Sequence, residues 1–153
     1  FGHRVPIDVE VKSVKCSDDA GLARQLARLV EEYGLVDRVF VTSFSPYLLQ
    51  ALRRENPAIV RGQLYGTFED SDLAPHERFA LRHRLLNRAA RPGLLAIEHS
   101  LVSSRRAVRR LQRRGYRVLA WTVSEPEGLR RVLEAGVDGV ITDDPALALR
   151  LSR

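Results

Sequence analysis

The sequence predicts an α/β fold built on a parallel sheet, either most of a (β/α)8 barrel or an open, doubly wound sheet. Short apolar stretches rich in β-branched residues alternate with helical stretches along the whole chain, a pattern typical of βαβ units. No G-x-G-x-x-G follows the first strand, which disfavours the dinucleotide-binding form of the open sheet. The 153 residues suffice for one ordinary core, and we expect a single domain over residues 1–153.

The first half of the chain supplies three strands and two helices. "PIDVEVKS" at 6–13 alternates apolar and charged residues with the period of a strand. "AGLARQLARLVEEYGL" has a leucine stripe, a cap at Asp18 or Asp19, and Gly34 as its stop. "RVFVTSF" and "IVRGQLY" are strand-like, and "SPYLLQALRREN" between them predicts a helix capped by Ser45.

The second half repeats the pattern after one long interval. Residues 66–92 form that interval, with an acidic start and a helix predicted around "HERFALRHRLLNRAA". Three strand–helix pairs follow: "LLAIEH" with "SSRRAVRRLQRRG", "YRVLAWTV" with "EPEGLRRVLEAG", and "DGVITD" with "PALALRLS". No low-complexity linker separates any of these elements, and therefore no domain boundary is predicted.

The first predicted strand carries charged side chains on one face. Asp8, Glu10 and Lys12 point the same way, because side chains on a strand alternate with period two. Both faces of a parallel sheet are normally covered, so charges on such a strand need an explanation. The first explanation is an active site at the carboxyl end of a barrel strand. The second is an edge strand whose polar face is solvated.

Several motifs resemble the glycerophosphodiester phosphodiesterase family. "DVEVKS" is similar to that family's "IEIK"-like strand, and "VTSFSPYLLQALRRENP" to its "SF" pair followed by "P..L..L". "GYRVLAWTVSEPEGLRRVLEAGVDGVITDDP" matches "G..V..WTVN" and "GVDGIITD.P" in order and spacing. The resemblance spans essentially the whole chain. It implies a parallel (β/α) TIM-type barrel with about six of the eight βα units present, corresponding to strands three to eight.

The resemblance also implies roles for individual residues. Glu10 matches the glutamate that binds the divalent metal, Mg²⁺ or Ca²⁺, both of which prefer hard oxygen ligands. Lys12 matches the lysine near the substrate phosphate. Trp121 matches the pocket tryptophan, although a packed core aromatic is the alternative. Ser43 and Phe44 follow a strand where they could line the substrate pocket, and for Ser43 a local hydrogen bond is an equal alternative.

Departures from the family pattern affect the catalytic groups. The family opens with "HRG", an "E.D" pair and an insertion bearing a second histidine, and no match to the pair or the insertion precedes Glu10. The catalytic residues are therefore unknown. His99, expected at the barrel mouth, and His3, in "GHR", are the candidates. The sequence thus predicts a barrel that is incomplete for catalysis alone.

Three functional classes follow from these observations. The first is a metal-dependent phosphodiesterase of lipid metabolism that hydrolyses glycerophosphodiesters to glycerol 3-phosphate and an alcohol. The second is a non-catalytic remnant or subunit, in which a missing N-terminal segment, a partner chain or a symmetric copy covers the unpaired edge strands. The third is a basic module for nucleic acid or anionic lipid, because the net charge is +6 and "SSRRAVRRLQRRG" is rich in arginine.

Composition bears mainly on the compartment. The single cysteine, Cys16, excludes an internal disulfide and gives no sign of an oxidising compartment. No signal-like start and no apolar run of about 18 residues, the length needed for a membrane span, is present. We therefore expect a cytoplasmic protein without a transmembrane segment.

Overall fold

A computed structural model describes residues 5–12, 18–67 and 87–152 of the chain. The strands are β1 (Ile7–Glu10), β2 (Val39–Ser43), β3 (Val60–Tyr65), β4 (Leu94–Glu98), β5 (Arg117–Trp121) and β6 (Gly139–Val140). The helices are α1 (Asp19–Glu32), α2 (Pro46–Glu55), α3 (Asn87–Ala90), α4 (Arg105–Gln112), α5 (Pro126–Ala135) and α6 (Pro145–Leu151), with a 3₁₀ turn at His99–Leu101. His3, Cys16 and most of the helix predicted around "HERFALRHRLLNRAA" lie outside the described residues.

The strands form one sheet in chain order, β1-β2-β3-β4-β5-β6. β1 pairs with β2, β2 with β3, β4 with β5 and β5 with β6, each pair parallel. In a doubly wound sheet the strand order reverses at a switch point, whereas in a (β/α) barrel each strand lies beside its predecessor. The observed order therefore corresponds to the barrel alternative.

The chain divides by its packing into two compact units. The first comprises Phe1–Leu64 and Ser71–Gly93, and the second comprises Tyr65–Asp70 and Leu94–Arg153. Each unit has helices packed on parallel strands. The expectation of one domain over residues 1–153 stays a prediction.

The first unit builds its core from α1, α2, β1 and β2. Buried side chains of α1 recur at the helical spacing, at Ala23, Ala27 and Val30, and they pack with Val39 and Val41 of β2. Capping fixes where both helices begin. Asp18 accepts a hydrogen bond from the Gly21 N–H at 2.9 Å, and Ser45 accepts one from the Leu48 N–H at 3.2 Å. The predicted helix starts are confirmed.

The second unit places its core between β4, β5 and the helices that follow them. Its most enclosed side chains are Leu95 of β4, Val118 and Ala120 of β5, and Leu129 and Val132 of α5, all with no exposed surface. These strand residues are continuously apolar rather than alternating because both faces of a parallel sheet are covered. Among the described residues, no helix is long and apolar enough to span a membrane.

The last strand is shorter than the sequence predicts. "DGVITD" indicates a strand over 138–143, but β6 contains only Gly139 and Val140. Its pairing with β5 continues beyond these two residues, since the Ile141 N–H donates to the Ala120 carbonyl at 2.8 Å. The Ile141 carbonyl then accepts from the Val123 N–H at 3.0 Å, so the chain stays attached to β5 without regular strand geometry.

Candidate functional site

In the first unit, β1 presents its two carboxylates away from the core. Ile7 and Val9 are half-buried and pack against the core, while Asp8 and Glu10 are exposed. Lys12 is exposed directly after the strand. The alternation predicted from the sequence is therefore confirmed, and it brings Glu10 and Lys12 to the carboxyl end of β1. Among the described residues, neither side chain has a hydrogen-bond or ion-pair partner.

The neighbouring carboxylate, Asp8, is already engaged. It accepts a hydrogen bond from the Thr42 hydroxyl at 2.9 Å, across the β1–β2 pair. Desolvation raises the pKa of Asp8, the bond from Thr42 opposes that rise, and the negative charge of Glu10 adds to it. The Asp8 carboxylate is thus partly engaged by Thr42, whereas Glu10 has no hydrogen-bond or ion-pair partner among the described residues.

Hydrogen bonds tie together the carboxyl ends of β1, β2 and β3 in the first unit. The buried Ser43 hydroxyl donates to the Val11 carbonyl at 2.7 Å and accepts from the Ser45 N–H at 3.1 Å. The buried Gln63 amide donates to the carbonyls of Ser43 at 3.1 Å and Phe44 at 3.0 Å. Ser43 therefore holds the strand ends in place, and its predicted contact with substrate stays a prediction, as does that of the half-buried Phe44.

Sequence reasoning missed Gln63. A glutamine inside a strand of a parallel sheet is a polar residue where apolar ones are expected, and that was the available signal. Its side chain is 1% exposed, and within the described part of the chain its Oε1 atom has no hydrogen-bond partner. The amide nitrogen donates hydrogen bonds to two strand-end carbonyls, and these bonds explain why a polar side chain is present at this buried position.

In the second unit, Glu98 and Trp121 end neighbouring strands as register partners. The Glu98 carboxylate accepts from the Thr67 N–H at 2.9 Å and the Ser100 hydroxyl at 2.6 Å. The Trp121 indole N–H donates to the Ala96 carbonyl at 2.9 Å, which fixes the ring while the side chain stays half-buried. Trp121 is therefore held at a strand end, where the predicted pocket-wall role requires it.

Gly66 lies close to both of these side chains, and a Cβ atom there would require Glu98 to shift by a few tenths of an ångström. A Cβ atom there would lie 3.1 Å from Glu98 Oε2 and 3.4 Å from the edge of the Trp121 ring. Desolvation acts to raise the pKa of Glu98, but the hydrogen bonds from Ser100 and Thr67 outweigh it and hold that pKa below its ordinary value. Glu98 is thus a stable carboxylate that fastens the backbone after β3 to the end of β4.

The candidate histidine His99 also lies in the second unit, immediately after β4. Its Nδ1 atom is 3.0 Å from a terminal nitrogen of Arg131, and the same nitrogen donates to the His99 carbonyl at 3.2 Å. A guanidinium only donates, so Nδ1 is the acceptor and the ring hydrogen resides on Nε2. The ring is half-buried and fixed in that tautomer. His99 is the one histidine within the described residues.

Two aspartates near β6 have structural partners. Asp138 accepts from the Val118 N–H at 2.8 Å, from Gln112 at 3.0 Å and from Arg117 at 3.2 Å. Partial burial acts to raise the pKa of Asp138, but these bonds outweigh it and lower that pKa. Asp143 accepts from the Ser124 hydroxyl at 3.2 Å. Both carboxylates therefore organise the β5–β6 region.

The described residues do not complete a metal site. Across residues 5–12, 18–67 and 87–152, no group of three or more His, Cys, Asp or Glu side chains could hold an ion. Of the two acids of β1, Glu10 has no hydrogen-bond or ion-pair partner among the described residues, and Asp8 is engaged with Thr42. Mg²⁺ requires about six oxygen ligands. The donors shown thus account for part of a coordination shell and no more.

Comparison with known proteins identifies a family and individual proteins to which this chain is similar. A family model described as the glycerophosphoryl diester phosphodiesterase family matches residues 2–147. A glycerophosphodiester phosphodiesterase from Caldanaerobacter subterraneus subsp. tengcongensis is 30% identical over 133 residues, covering 87% of this chain and 50% of the relative. The chain therefore spans about half the length of this curated relative.

Solved structures show the same fold. A glycerophosphoryl diester phosphodiesterase structure from Silicibacter pomeroyi superposes with a TM-score of 0.78 at 26% identity, covering 96% of this chain and 50% of that one. An Oleispira antarctica phosphodiesterase, solved with its product sn-glycerol-3-phosphate, gives a TM-score of 0.66 at 19% identity, covering 95% of this chain and 54% of that one. The predicted fold class, a parallel TIM-type (β/α) barrel represented by six βα units, is confirmed.

Proposed function

Because the chain belongs to the glycerophosphoryl diester phosphodiesterase family, we propose that the protein hydrolyses glycerophosphodiesters to glycerol 3-phosphate and an alcohol. The family match over residues 2–147 is the observation that carries this proposal. It is supported by the curated relative of the same activity at 30% identity. Activity, substrate and metal dependence are proposals for this protein, since the chain spans about half of that relative.

Within the first unit, we assign the phosphate end of the substrate to β1. Lys12 has an exposed ammonium without a partner among the described residues, and a compact cation of this kind neutralises a phosphate oxygen. Charge neutralisation and positioning are the main demands of phosphoryl transfer. Glu10 would contribute one carboxylate to a divalent cation, Mg²⁺ or Ca²⁺, which supplies charge neutralisation when bound.

Within the second unit, we assign Trp121 to the alcohol or glycerol portion of the substrate. Its ring is fixed by the indole bond to Ala96, so the face that contacts a ligand needs no further ordering. In the first unit, the half-buried Phe44 would contact substrate, whereas Ser43, buried and hydrogen-bonded through its hydroxyl, would act by holding the end of β2 in place.

The general acid and base are not assigned. His99 carries its ring hydrogen on Nε2, so that atom would donate a hydrogen bond to a substrate oxygen while Arg131 holds the opposite side of the ring. A neutral imidazole in this tautomer is neither a general acid at Nε2 nor a free base at Nδ1, so neither role is assigned to it. His3 lies outside the described residues and stays a prediction from the sequence.

A second candidate function is a subunit that is inactive alone. The observation that favours it is the donor set: the described residues hold one histidine, and they hold no cluster of three metal-ligating side chains. In the sheet that the described residues form, β1 and β6 are the end strands. A further segment, a partner chain or another copy that pairs with them would supply the missing groups.

Cytoplasmic location likewise stays a prediction.

Release of glycerol 3-phosphate from glycerophosphocholine tests the proposal. The protein is assayed with Mg²⁺, with Ca²⁺ and after chelation, and its oligomeric state is measured on the same sample. We expect metal-dependent release. Activity of a monomer would refute the subunit alternative. Absence of release from any glycerophosphodiester by the folded protein would refute hydrolysis by this chain and favour the subunit alternative.

A further inference from the structure

Helix α4, in the second unit, presents arginines over about half of its circumference. Val108 and Leu111 are buried in the core and define the inner side. The exposed arginines in and directly after the helix are Arg105, Arg106, Arg109, Arg110, Arg113 and Arg114. At about 100° per residue they follow one another around the outer side without interruption by an acid.

Four of these arginines line a groove. Arg105, Arg106, Arg109 and Arg113, here called the arginine face, border an open groove of about 760 Å³ together with Gln112. From Arg105 to Arg113 the face extends about 12 Å along the helix, at 1.5 Å for each of the eight steps between these residues. The guanidinium groups of the arginine face therefore concentrate positive charge along one concave strip of the surface of the second unit.

The arginine face lacks acidic partners within the described part of the chain. The ion pairs among the described residues join Arg24 to Glu55 and Arg117 to Asp138, and neither pair includes an arginine of this face. Glu134 shares a smaller cavity of about 210 Å³ with Arg105, but the two form no ion pair. The repulsion among like charges spaced four residues apart is thus not relieved from within the second unit.

We propose that the arginine face docks the protein on the surface of an anionic phospholipid bilayer. Phosphate and carboxylate groups of such a surface complement the row of guanidinium groups, and clusters of four to eight basic residues are typical of this mode of binding. The apolar side of α4 is used by the core, so the attraction is electrostatic and the helix lies on the surface without inserting. This inference is independent of the proposed hydrolysis.

The lining of the groove favours lipid over nucleic acid. Arginines and one glutamine form it, and no aromatic ring is present there on which a base could stack.

Vesicle sedimentation with the full-length protein tests this docking. Vesicles of phosphatidylcholine alone are compared with vesicles that contain about one third phosphatidylserine, at low and at physiological salt. We expect binding to the anionic vesicles that weakens with salt. The triple variant Arg105→Gln, Arg109→Gln, Arg113→Gln should bind about 100-fold less, since each basic residue near such a surface contributes about 1 kcal/mol. Arg109→Gln alone should bind about fivefold less.

Two matched variants separate the arginine face from net charge. Arg28→Gln, Arg54→Gln, Arg130→Gln removes the same charge from exposed positions on α1, α2 and α5 and should bind within about twofold of wild type. Replacing Arg105, Arg109 and Arg113 by lysine should preserve binding. Equal losses in both glutamine triples, or no preference for anionic vesicles, would overturn the proposal. Tighter binding to duplex DNA than to vesicles at physiological salt would also overturn it and assign the face to nucleic acid.

Discussion

Replacing Glu98 by glutamine tests whether this carboxylate fastens the end of β4 to the backbone after β3. Glu98 accepts from the Thr67 N–H at 2.9 Å and the Ser100 hydroxyl at 2.6 Å. Glutamine keeps one acceptor oxygen for the Thr67 N–H and turns an NH₂ group toward Ser100, whose hydroxyl must then accept instead of donate, so both bonds lose the charge of the carboxylate. Bonds to charged groups contribute about 1.5–3 kcal/mol when buried, and half-burial reduces this. We expect a loss of about 1–2 kcal/mol.

The expected loss depends on pH in a defined direction. The pKa of Glu98 in the folded protein is lowered, although desolvation opposes the hydrogen bonds that lower it. Its stabilisation is therefore fully present above the ordinary glutamate value, 4.5, and is lost as the pH falls through the folded pKa. The difference in unfolding free energy between wild type and Glu98→Gln should be constant near neutrality and shrink in acid.

Urea unfolding at a series of pH values measures that difference. Glu55→Gln is the matched control, because Glu55 forms an ion pair at 3.5 Å with Arg24, whose side chain is 64% exposed. An exposed pair of this kind contributes about 0–1 kcal/mol. Equal unfolding free energies for wild type and Glu98→Gln at neutral pH would refute the reasoning. So would a difference that persists unchanged in acid.

Three further predictions concern other residues of the strand ends. Asp138→Asn should lower the unfolding free energy by about 1–3 kcal/mol in urea, because three donors lose a carboxylate, whereas Asp37→Asn on the surface should change it by less than about 0.5 kcal/mol. Gly66→Ala should lower the unfolding free energy in urea by about 1 kcal/mol, because the new Cβ would lie 3.1 Å from Glu98 Oε2 and shift that carboxylate from its donors, while Gly93→Ala, with no atom within 4 Å of the new Cβ, should not lower it. Lys12→Gln should weaken glycerol 3-phosphate binding about tenfold in calorimetry, since it removes an unpaired cation from the carboxyl end of β1. An unchanged value for Asp138→Asn, Gly66→Ala or Lys12→Gln would contradict the role assigned to that residue.

The fold was largely predictable because its determinants are local. The alternation of strands and helices, the caps at Asp18 and Ser45, and the exposed face of Glu10 all depend on residues near one another in the chain. The choice between barrel and open sheet depended on motif resemblance, since periodicity is the same in both. The short β6 was not predictable, because its irregular pairing at Ile141 is set by β5.

The candidate site was predictable in its residue types and less so in its contacts. For Ser43 the sequence left a pocket role and a backbone hydrogen bond open, and the structure shows the hydrogen bond, from its hydroxyl to the Val11 carbonyl. Gln63, Gly66 and Glu98 were missed because their importance arises from partners distant in the sequence: strand-end carbonyls for Gln63, and each other for Gly66 and Glu98. Such contacts are established only when parallel strands are brought into register.

The most direct test of the central claim is the metal dependence of glycerol 3-phosphate release by Glu10→Gln. Mg²⁺ and Ca²⁺ are titrated into the full-length protein with glycerophosphocholine as substrate, and Glu32→Gln on α1 serves as the exposed control. If Glu10 binds the cation, its variant should need at least about tenfold more metal or lose activity, while the control behaves as wild type. Identical metal titrations for wild type and Glu10→Gln would contradict the assignment of β1 as the metal- and phosphate-binding strand.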